Sequence, residues 1–440
     1  MASRDVKRTV EAVWRIESAR LIAGIARVVG DVALAEDVAQ EALLAALEQW
    51  PESGVPDNPG AWLMATAKHR GIDRLRRAEV HQRKTEELAS GSELRPPETG
   101  DLAAAVDDPF DDDLLRLIFT ACHPVLSTHA RVALTLRLLC GLTTSEIARA
   151  YLASESAVAQ RIVRARRTLS AARVPIEVPA RGELRERLAS VLEVIYLIFN
   201  EGYSPTAGEQ LIRSELMEEA LRLGRILAEL LPHEAELHGL VALMELQASR
   251  TGARISPSGD QVLLLDQDRS RWDWLLVGRG LRALERAYAT GGPIGPYTLQ
   301  AGIAACHARA RAAEDTDWER IVALYDGLAQ LMPSPVVELN RAVAIGMAFG
   351  PRAALEIVEA LREEPALDGY HPLPTVRGDL LEKLGRLDEA RAEFERASLL
   401  TANSRQRAAL LERAATVRPS VDATTDAIDS ERSPGRASHV

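Results

Sequence analysis

Apolar residues recur every three or four positions along much of this chain, and that spacing constrains its fold more than any other feature. The clearest case is the stripe of an amphipathic helix formed by Ala35, Val38, Ala39, Ala42, Leu43, Ala46 and Leu47. The composition agrees, because the chain is rich in the helix formers Ala, Leu, Glu and Arg, and aromatic residues make up only 4% of its 440 residues. The sequence therefore predicts an all-α protein of roughly two to four domains.

Several protein classes are disfavoured by what the sequence lacks. No stretch approaches ~18 uncharged apolar residues and the N-terminus has no apolar signal segment, so we expect no membrane contact and a cytoplasmic location. The cysteines Cys122, Cys140 and Cys306 lie far apart, which argues against a disulfide framework. The pair Cys122-His123 has no second pair at ligand spacing, so packing is favoured over metal binding. Because no catalytic motif is present, we expect no enzyme activity, no metal and no cofactor.

The charge of the chain is unevenly distributed. The net charge is −11, yet residues 68–84 and 161–173 are basic, and the second run contains five arginines and no acid. Between them, residues 86–113 carry ten acids and one base. We therefore interpret residues 81–111 as a flexible acidic linker. A single basic run is equally well explained by a solvated helix face, but two runs on two small domains favour a polyanionic partner.

The first domain, residues 9–80, is predicted to contain three helices. Asp31 is placed to cap the second helix, and Pro59, which follows Asn58, is placed to open the third. The second helix presents a polar face opposite its apolar stripe, formed by Glu36, Asp37, Gln40 and Glu41. The third helix is predicted to turn Leu63, Ala67, Ile72 and Leu75 inward. Its outward residues are Trp62, Lys68, Arg70, Arg74, Arg76 and Arg77.

The second domain, residues 112–174, has the pattern of a helix-turn-helix. Thr143 and Glu146 form a T-x-x-E capping box before one short helix, and Ser154 is placed to cap the next. The apolar positions of that next helix are Val158, Ile162, Ala165 and Leu169. Another face of it carries Ala157, Gln160, Arg161, Arg164 and Thr168. Such a second helix reads the DNA major groove, where Arg suits guanine edges and Gln suits adenine.

Both domains resemble parts of bacterial sigma factors of the extracytoplasmic-function group. The runs AEDVAQEALLAALEQWP and NPGAWLMATAKHRGIDRLRR look like sigma region 2. The run LSTHARVALTLRLLCGLTTSEIARAYLASESAVAQRIVRARRTL resembles sigma region 4, although Tyr151-Leu152-Ala153 stands where a glycine is common in the turn. The order of the two regions around an acidic linker makes the resemblance specific.

The resemblance implies that the protein joins core RNA polymerase and reads promoter DNA. Region 2 would dock on the clamp of the β′ subunit through Asp37, Gln40 and Glu41, and region 4 would meet the β flap. The residues expected near the −10 element are Trp62, Lys68, Arg70, Asp73, Arg74, Arg76 and Arg77. The residues expected at the −35 element are Ser156, Ala157, Gln160, Arg161, Arg164 and Arg167.

Some of these residues also have structural explanations. Trp62 can fill the core instead of holding an unpaired base, and both roles stay open. Asp73 is better explained by an ion pair within its helix, with Arg70, Arg76 or Arg77. Arg161 and Arg164 can be surface residues without a base contact, although a purely buried role is disfavoured.

Residues 180–417 form a long extension that is predicted to be helical. Ala390, Phe394 and Ala397 stand at the small, aromatic and small positions of a tetratricopeptide helix. The same spacing recurs in two earlier sets, Ile321, Tyr325, Leu328 and Pro333, and Ala354, Val358 and Leu361. The whole chain thus resembles the extracytoplasmic-function subgroup with a long tetratricopeptide-like extension, which implies an α-solenoid. Residues 418–440 are predicted to be a disordered tail.

Two polar runs in the extension have no assigned role. In the run Leu263–Asp273, ion pairs between carboxylates and arginines that fix a loop are the favoured explanation, and a ligand or inter-domain contact is the alternative. The run that begins GYSPTAGEQ likewise places polar residues before an amphipathic helix.

Three functions are compatible with the sequence. A sigma factor is favoured; a helix-turn-helix regulator that never joins polymerase is the alternative, and a peptide-binding scaffold is a third. The acidic face of Asp37, Gln40 and Glu41 favours the first over the second. Residues 181–440 carry 30 Lys and Arg against 39 Asp and Glu, so the extension is not expected to seek DNA. We expect it to recruit an activating partner, or else to mask the basic face of Arg161, Arg164, Arg166 and Arg167.

Overall fold

A computed structural model describes residues 2–90, 110–151, 153–203, 212–257, 262–401 and 403–417. The regular elements in these ranges are helices, as the sequence predicts. They form two compact units. The first unit contains the described residues up to Ala253 together with Asp268–Ala308, and the second contains Arg254–Gln267 together with the described residues from Arg309 onward.

The first unit begins with three helices, α1 (Ala2–Val29), α2 (Val32–Ser53) and α3 (Pro59–Ser90). Local hydrogen bonds set two of their starts as predicted. Asp31 Oδ1 accepts from the backbone N–H of Leu34 at 2.8 Å, and Asn58 Oδ1 accepts from that of Ala61 at 3.0 Å. Helix α3 continues ten residues beyond the predicted domain end at residue 80, because residues 81–90 contain neither Gly nor Pro. The rest of the acidic linker, residues 91–109, lies outside the described residues.

Four helices follow, α4 (Phe110–Ala121), α5 (Thr128–Leu138), α6 (Thr144–Ala150) and α7 (Glu155–Ala171). The predicted capping box is present: Thr143 N donates to Glu146 Oε2 at 2.7 Å, and Glu146 N donates to Thr143 Oγ1 at 3.2 Å. Ser154 Oγ accepts from Ala157 N at 3.2 Å and caps α7. All four predicted apolar positions of α7 are buried, namely Val158, Ile162, Ala165 and Leu169.

The extension begins within the same unit. Its helices there are α8 (Arg181–Tyr203), α9 (Ser214–Leu230), α10 (Ala235–Ala248), α11 (Trp274–Ala289) and α12 (Pro296–Arg309). Helix α8 lies against α4 and α5, where Ser190 Oγ donates to the carbonyl of Cys122 at 2.7 Å and Arg187 donates to the carbonyl of Phe119 at 3.0 Å. Apolar residues of α1 to α10 form one continuous core. The first part of the extension therefore completes the interior of the helix-turn-helix domain.

The second unit has its own core and six helices, α13 (Trp318–Leu331), α14 (Pro335–Phe349), α15 (Pro351–Leu361), α16 (Pro372–Lys383), α17 (Leu387–Leu400) and α18 (Ser404–Thr416). Consecutive helices pack against each other along the chain. Ala390, Phe394 and Ala397 of α17 are fully buried. The predicted tail, residues 418–440, lies outside the described residues.

Candidate nucleic-acid interface

Of the residues predicted to bind polymerase, Asp37 is exposed, whereas Gln40 and Glu41 are half-buried. The Asp37 side chain is 56% exposed and the Glu41 side chain is 31% exposed. Glu41 forms an ion pair with Arg74 of α3 and lies 3.5 Å from Arg70, and Asp37 lies 4.0 Å from Arg74. The structure thus brings predicted polymerase-binding acids together with two arginines that were predicted to face the −10 element.

Glu36, predicted to share this outward face, is instead buried at 2% exposure. Its carboxylate accepts from Arg137 Nε of α5 at 2.7 Å and also pairs with Arg166 of α7. Gln40 Nε2 donates to the same carboxylate at 2.9 Å. Burial lowers the pKa of both guanidinium groups. The prediction for Glu36 was wrong because α5 and α7 cover this side of α2, which the α2 sequence alone does not reveal.

Other residues of the α3 face differ in how far they reach solvent. Arg76 and Arg77 are exposed, whereas Lys68 is half-buried. Trp62 is half-buried and meets Trp50 edge to face, with ring centroids 5.4 Å apart, so it contributes to packing. Asp73 is exposed and does not form the predicted ion pair within its helix with Arg70, Arg76 or Arg77 among the described contacts.

Helix α7 presents the predicted −35 residues along one side. Ser156, Ala157, Gln160, Arg164 and Arg167 are exposed, and Arg161 is half-buried. Arg164 Nη2 donates to Gln160 Oε1 at 3.3 Å, and within the described ranges none of Arg161, Arg164 and Arg167 forms an ion pair. A groove of about 390 Å³ lies between this side of α7 and the start of α5, lined by Gln160, Arg161, Arg164, Thr168 and Ser127 among others. Arg166 is not part of this basic face, because Glu36 holds it.

Two features of the described residues concern metal binding and thiol chemistry. No group of three or more His, Cys, Asp or Glu side chains there is arranged to hold a metal ion. Burial raises the pKa of the Cys122 thiol to about 11, so this thiol stays protonated and packs in the core near Thr135. Within the same residues, no helix is long and apolar enough to cross a membrane.

The chain matches three protein families along its length. Residues 16–80 match sigma-70 region 2, and residues 116–169 match sigma-70 region 4. Residues 187–288, which include most of the extension helices of the first unit, match a family of unknown function. The two sigma regions coincide with the two domains that carry the α2–α3 face and the α7 face.

Two relatives are similar to this chain over longer stretches. The uncharacterized protein R00370 of Rhizobium meliloti is 45% identical over 379 residues, which cover 85% of this chain and 88% of that protein. A probable ECF RNA polymerase sigma factor, SigI, of Mycobacterium tuberculosis is 29% identical over 173 residues, 38% of this chain and 57% of that protein. The chain therefore contains sigma-70 regions 2 and 4, and it belongs to the family that includes R00370.

Proposed function

We propose that this protein is an extracytoplasmic-function sigma factor that binds core RNA polymerase and directs it to specific promoters. The observation that carries the proposal is the presence of sigma regions 2 and 4 in one chain, together with Arg161, Arg164 and Arg167 on α7, which form no ion pair among the described residues. Promoter recognition needs such cations for phosphates and base edges. The similarity to the probable ECF sigma factor supports the same assignment.

We assign polymerase binding to α2 and DNA binding to α3 and α7. Asp37, Gln40 and Glu41 contact the β′ clamp, region 4 meets the β flap, and α7 reads the −35 element through Ser156, Ala157, Gln160, Arg161, Arg164 and Arg167. The −10 element is held by the α3 side through Trp62, Lys68, Arg70, Arg74, Arg76 and Arg77. Arg70 and Arg74 must first leave Glu41, so occupation of Glu41 by polymerase would release both arginines for DNA.

Binding both elements also requires the two regions to separate. The −10 and −35 elements lie almost two turns of DNA apart, roughly 60 Å. In the free chain, Glu36 of region 2 contacts Arg137 and Arg166 of region 4 directly, so the regions touch. We propose that promoter binding breaks these contacts.

The extension is proposed to have two parts with different tasks. Helices α8 to α12 support region 4 from within the same unit, whereas α13 to α18 form a separate unit with a core of its own. The consecutive helices of the second unit and the buried Ala390, Phe394 and Ala397 support a tetratricopeptide-like array that recruits an activating partner. Masking of the α7 face is the alternative role.

Run-off transcription with purified core polymerase, on promoters upstream of neighbouring genes, tests these proposals. We expect the full chain to initiate transcription and the variant Asp37→Lys/Glu41→Lys to lose core binding with helicity unchanged. Glu48→Lys/Glu52→Lys, which makes the same charge change at exposed sites of α2, is the matched control. Unchanged co-purification of the first variant with core would contradict the docking face, and DNA binding without any transcription would favour the regulator that acts without polymerase.

A chain that ends at Ala308, which keeps only Arg254–Gln267 of the second unit, tests this unit by core and promoter binding in vitro and by transcription in cells. Recruitment predicts that this chain binds core but is inactive in cells. Masking predicts increased promoter binding and transcription, with a smaller gain at high salt because screening already weakens the contact. Behaviour identical to the full chain would contradict both roles.

A further inference from the structure

A cavity of about 450 Å³ lies where region 2 meets region 4, and we call it the inter-region cavity. Region 2 lines it with residues from the end of α1 and the start of α2. Region 4 lines it with Thr120 of α4, the end of α7 and the segment that follows α7 up to Ile176. This volume lies within the range of small-molecule sites in proteins. Both regions therefore face one space that is large enough for a small organic molecule.

The charged residues around the inter-region cavity are mostly cations. Of the described residues that line it, four are charged, and three of these are Arg27, Arg166 and Arg173. Arg27 Nε lies 3.0 Å from Asp113 Oδ1, and Arg166 Nη2 pairs with Glu36. Both Nη atoms of Arg27 and Nη1 of Arg166 form no ion pair or hydrogen bond with the described residues. These guanidinium groups therefore keep donors available for a ligand.

Arg173 has a backbone conformation that favours glycine. Its φ is +48°, and among the described residues it is the only one other than glycine with a positive φ. It directly follows the end of α7, where Val174 N donates to the carbonyl of Leu169 at 3.1 Å. Glycine is the usual residue at such a helix end, because a side chain strains this conformation.

The Arg173 side chain does not compensate for this strain within the folded chain. It is exposed, and it forms no ion pair or hydrogen bond with the described residues. Strained residues of this kind cluster at functional sites, where the side chain is needed. A cation that the described fold does not use thus occupies a glycine position at the wall of the cavity.

The start of α2 adds backbone donors to the same cavity. Asp31 caps the helix by accepting from Leu34 N at 2.8 Å, which leaves the N–H groups of Val32 and Ala33 without a partner among the described residues. The partial positive charge of a helix N-terminus favours anions. Asp31 is the fourth charged residue of the described lining, and the three arginines outweigh its single negative charge.

We propose that the inter-region cavity binds a small metabolite that carries a phosphate group. Guanidinium groups and helix N–H groups are the donors that proteins use for phosphates. The three terminal oxygens of a phosphate monoester can accept from more of these donors than the two oxygens of a carboxylate. Val174, Pro175 and Ile176 also line the cavity, and they offer apolar surface to the organic part of the molecule.

A ligand in this cavity would contact both regions at once. Arg27 and the start of α2 belong to region 2, whereas Arg166 and Arg173 lie in α7 and directly after it. The ligand would bind the arrangement in which the regions touch, so it would stabilise that arrangement and oppose their separation on a promoter. This regulatory consequence rests on the proposed function, whereas the binding itself does not.

The first test measures the binding of small anions to the full chain, without polymerase or DNA. Ribose 5-phosphate, inorganic phosphate and succinate are the probes, at constant ionic strength with chloride as the reference, and calorimetry gives the affinities. We expect saturable binding of ribose 5-phosphate, at least three-fold tighter than that of inorganic phosphate, because only ribose 5-phosphate reaches the apolar lining. An affinity for ribose 5-phosphate no higher than that for inorganic phosphate, succinate or chloride overturns the proposal.

Arg173→Gly separates loss of the site from loss of the fold. Glycine suits a φ of +48°, so we expect this variant to keep the thermal midpoint of the wild type and yet to bind ribose 5-phosphate at least ten-fold more weakly. Arg279→Gln, which removes an exposed arginine of α11 in the same unit, is the matched control and should bind as the wild type does. Wild-type affinity in Arg173→Gly would also overturn the proposal.

A second pair of variants tests the α2 side of the cavity. Ala33→Glu places a carboxylate in the first turn of α2, where the helix dipole favours acids, and should abolish binding by repelling the phosphate. Ala33→Gln has nearly the same size without the charge, and it should bind at least five-fold more tightly than Ala33→Glu. Equal affinities of these two variants would contradict a phosphate at the start of α2.

Run-off transcription tests the regulatory consequence. Saturating ribose 5-phosphate should reduce transcription by the wild type at least three-fold, and it should have no such effect on Arg173→Gly. Binding of the probe without any reduction would contradict the coupling to the separation of the regions. A chain that binds ribose 5-phosphate but never transcribes would contradict the proposed function and still support the site.

Discussion

The α3 face and the α7 face carry similar numbers of arginines, yet their surroundings differ. On α3, Arg70 and Arg74 lie next to Glu41 of α2, and Arg74 also approaches Asp37. On α7, Arg161, Arg164 and Arg167 form no ion pair within the described ranges, and only Arg166 is held by a carboxylate. Two basic runs that look alike in the sequence therefore differ in how readily their cations reach a nucleic acid.

The difference shows that the availability of a cation is a tertiary property. Arg74 meets Glu41 across 33 positions of the chain, because α2 and α3 pack side by side. Among the described residues, Arg161, Arg164 and Arg167 of α7 have no comparable acidic neighbour. We expect the α7 face to be ready for DNA in the free protein, and the α3 face to become ready only when Glu41 is occupied by another cation.

The largest effect is expected at Glu36, whose carboxylate pairs with Arg166 of α7. Glu36→Gln removes the direct ion-pair partner of Arg137 and Arg166, whose side chains are only 21% and 18% exposed. Uncompensated charges of this kind cost about 3 kcal/mol in the free energy of unfolding. Chemical denaturation of the full chain measures this loss. The same substitution would also remove the ion-pair partner of Arg166, so that it resembles Arg161, Arg164 and Arg167 of α7.

Glu48→Gln on the same helix provides the control, because Glu48 is exposed. A loss of less than about 0.5 kcal/mol in Glu36→Gln, as for an ordinary surface site, would mean that the contact between the two regions does not hold the free chain together.

The second-largest effect is expected in promoter binding by Arg161, Arg164 and Arg167 of α7. If Arg161 or Arg164 contacts a guanine through two hydrogen bonds, its replacement by Ala should cost ~1–3 kcal/mol of DNA-binding free energy and relax the preference at that base pair. Binding of the purified chain to promoter duplexes with single substitutions in the −35 element measures both quantities. Arg185→Ala, an exposed arginine of α8, is the control. Equal losses on every sequence would show that the contacts reach only phosphates.

How much of the structure the sequence predicted depends on how far apart two interacting residues lie along the chain. The caps at Asp31 and Ser154 and the capping box at Thr143 were predicted, because each bond joins residues three positions apart. The buried stripe of α7 was also predicted from its period. Glu36 was assigned to the wrong environment because its partners Arg137 and Arg166 lie 101 and 130 positions away.

The smallest effect tests whether the α3 arginines are truly held in reserve. The Arg74–Glu41 pair is partly exposed, with 43% and 31% of the two side chains reaching solvent, so a double-mutant cycle with Arg74→Ala and Glu41→Gln should give a coupling of only ~0.2–1 kcal/mol. Such a weak contact is easily exchanged, and its removal should be visible in DNA binding before it is visible in stability.

Glu41→Gln frees Arg74 for one more phosphate, so the affinity of this variant for a single-stranded −10 oligonucleotide should rise. The slope of log affinity against log salt should steepen by ~0.7. The double variant should lose this gain, and Glu48→Gln should not show it. If Glu41→Gln leaves both affinity and slope unchanged, Arg74 does not reach the DNA, and the contrast between the two faces reflects packing alone.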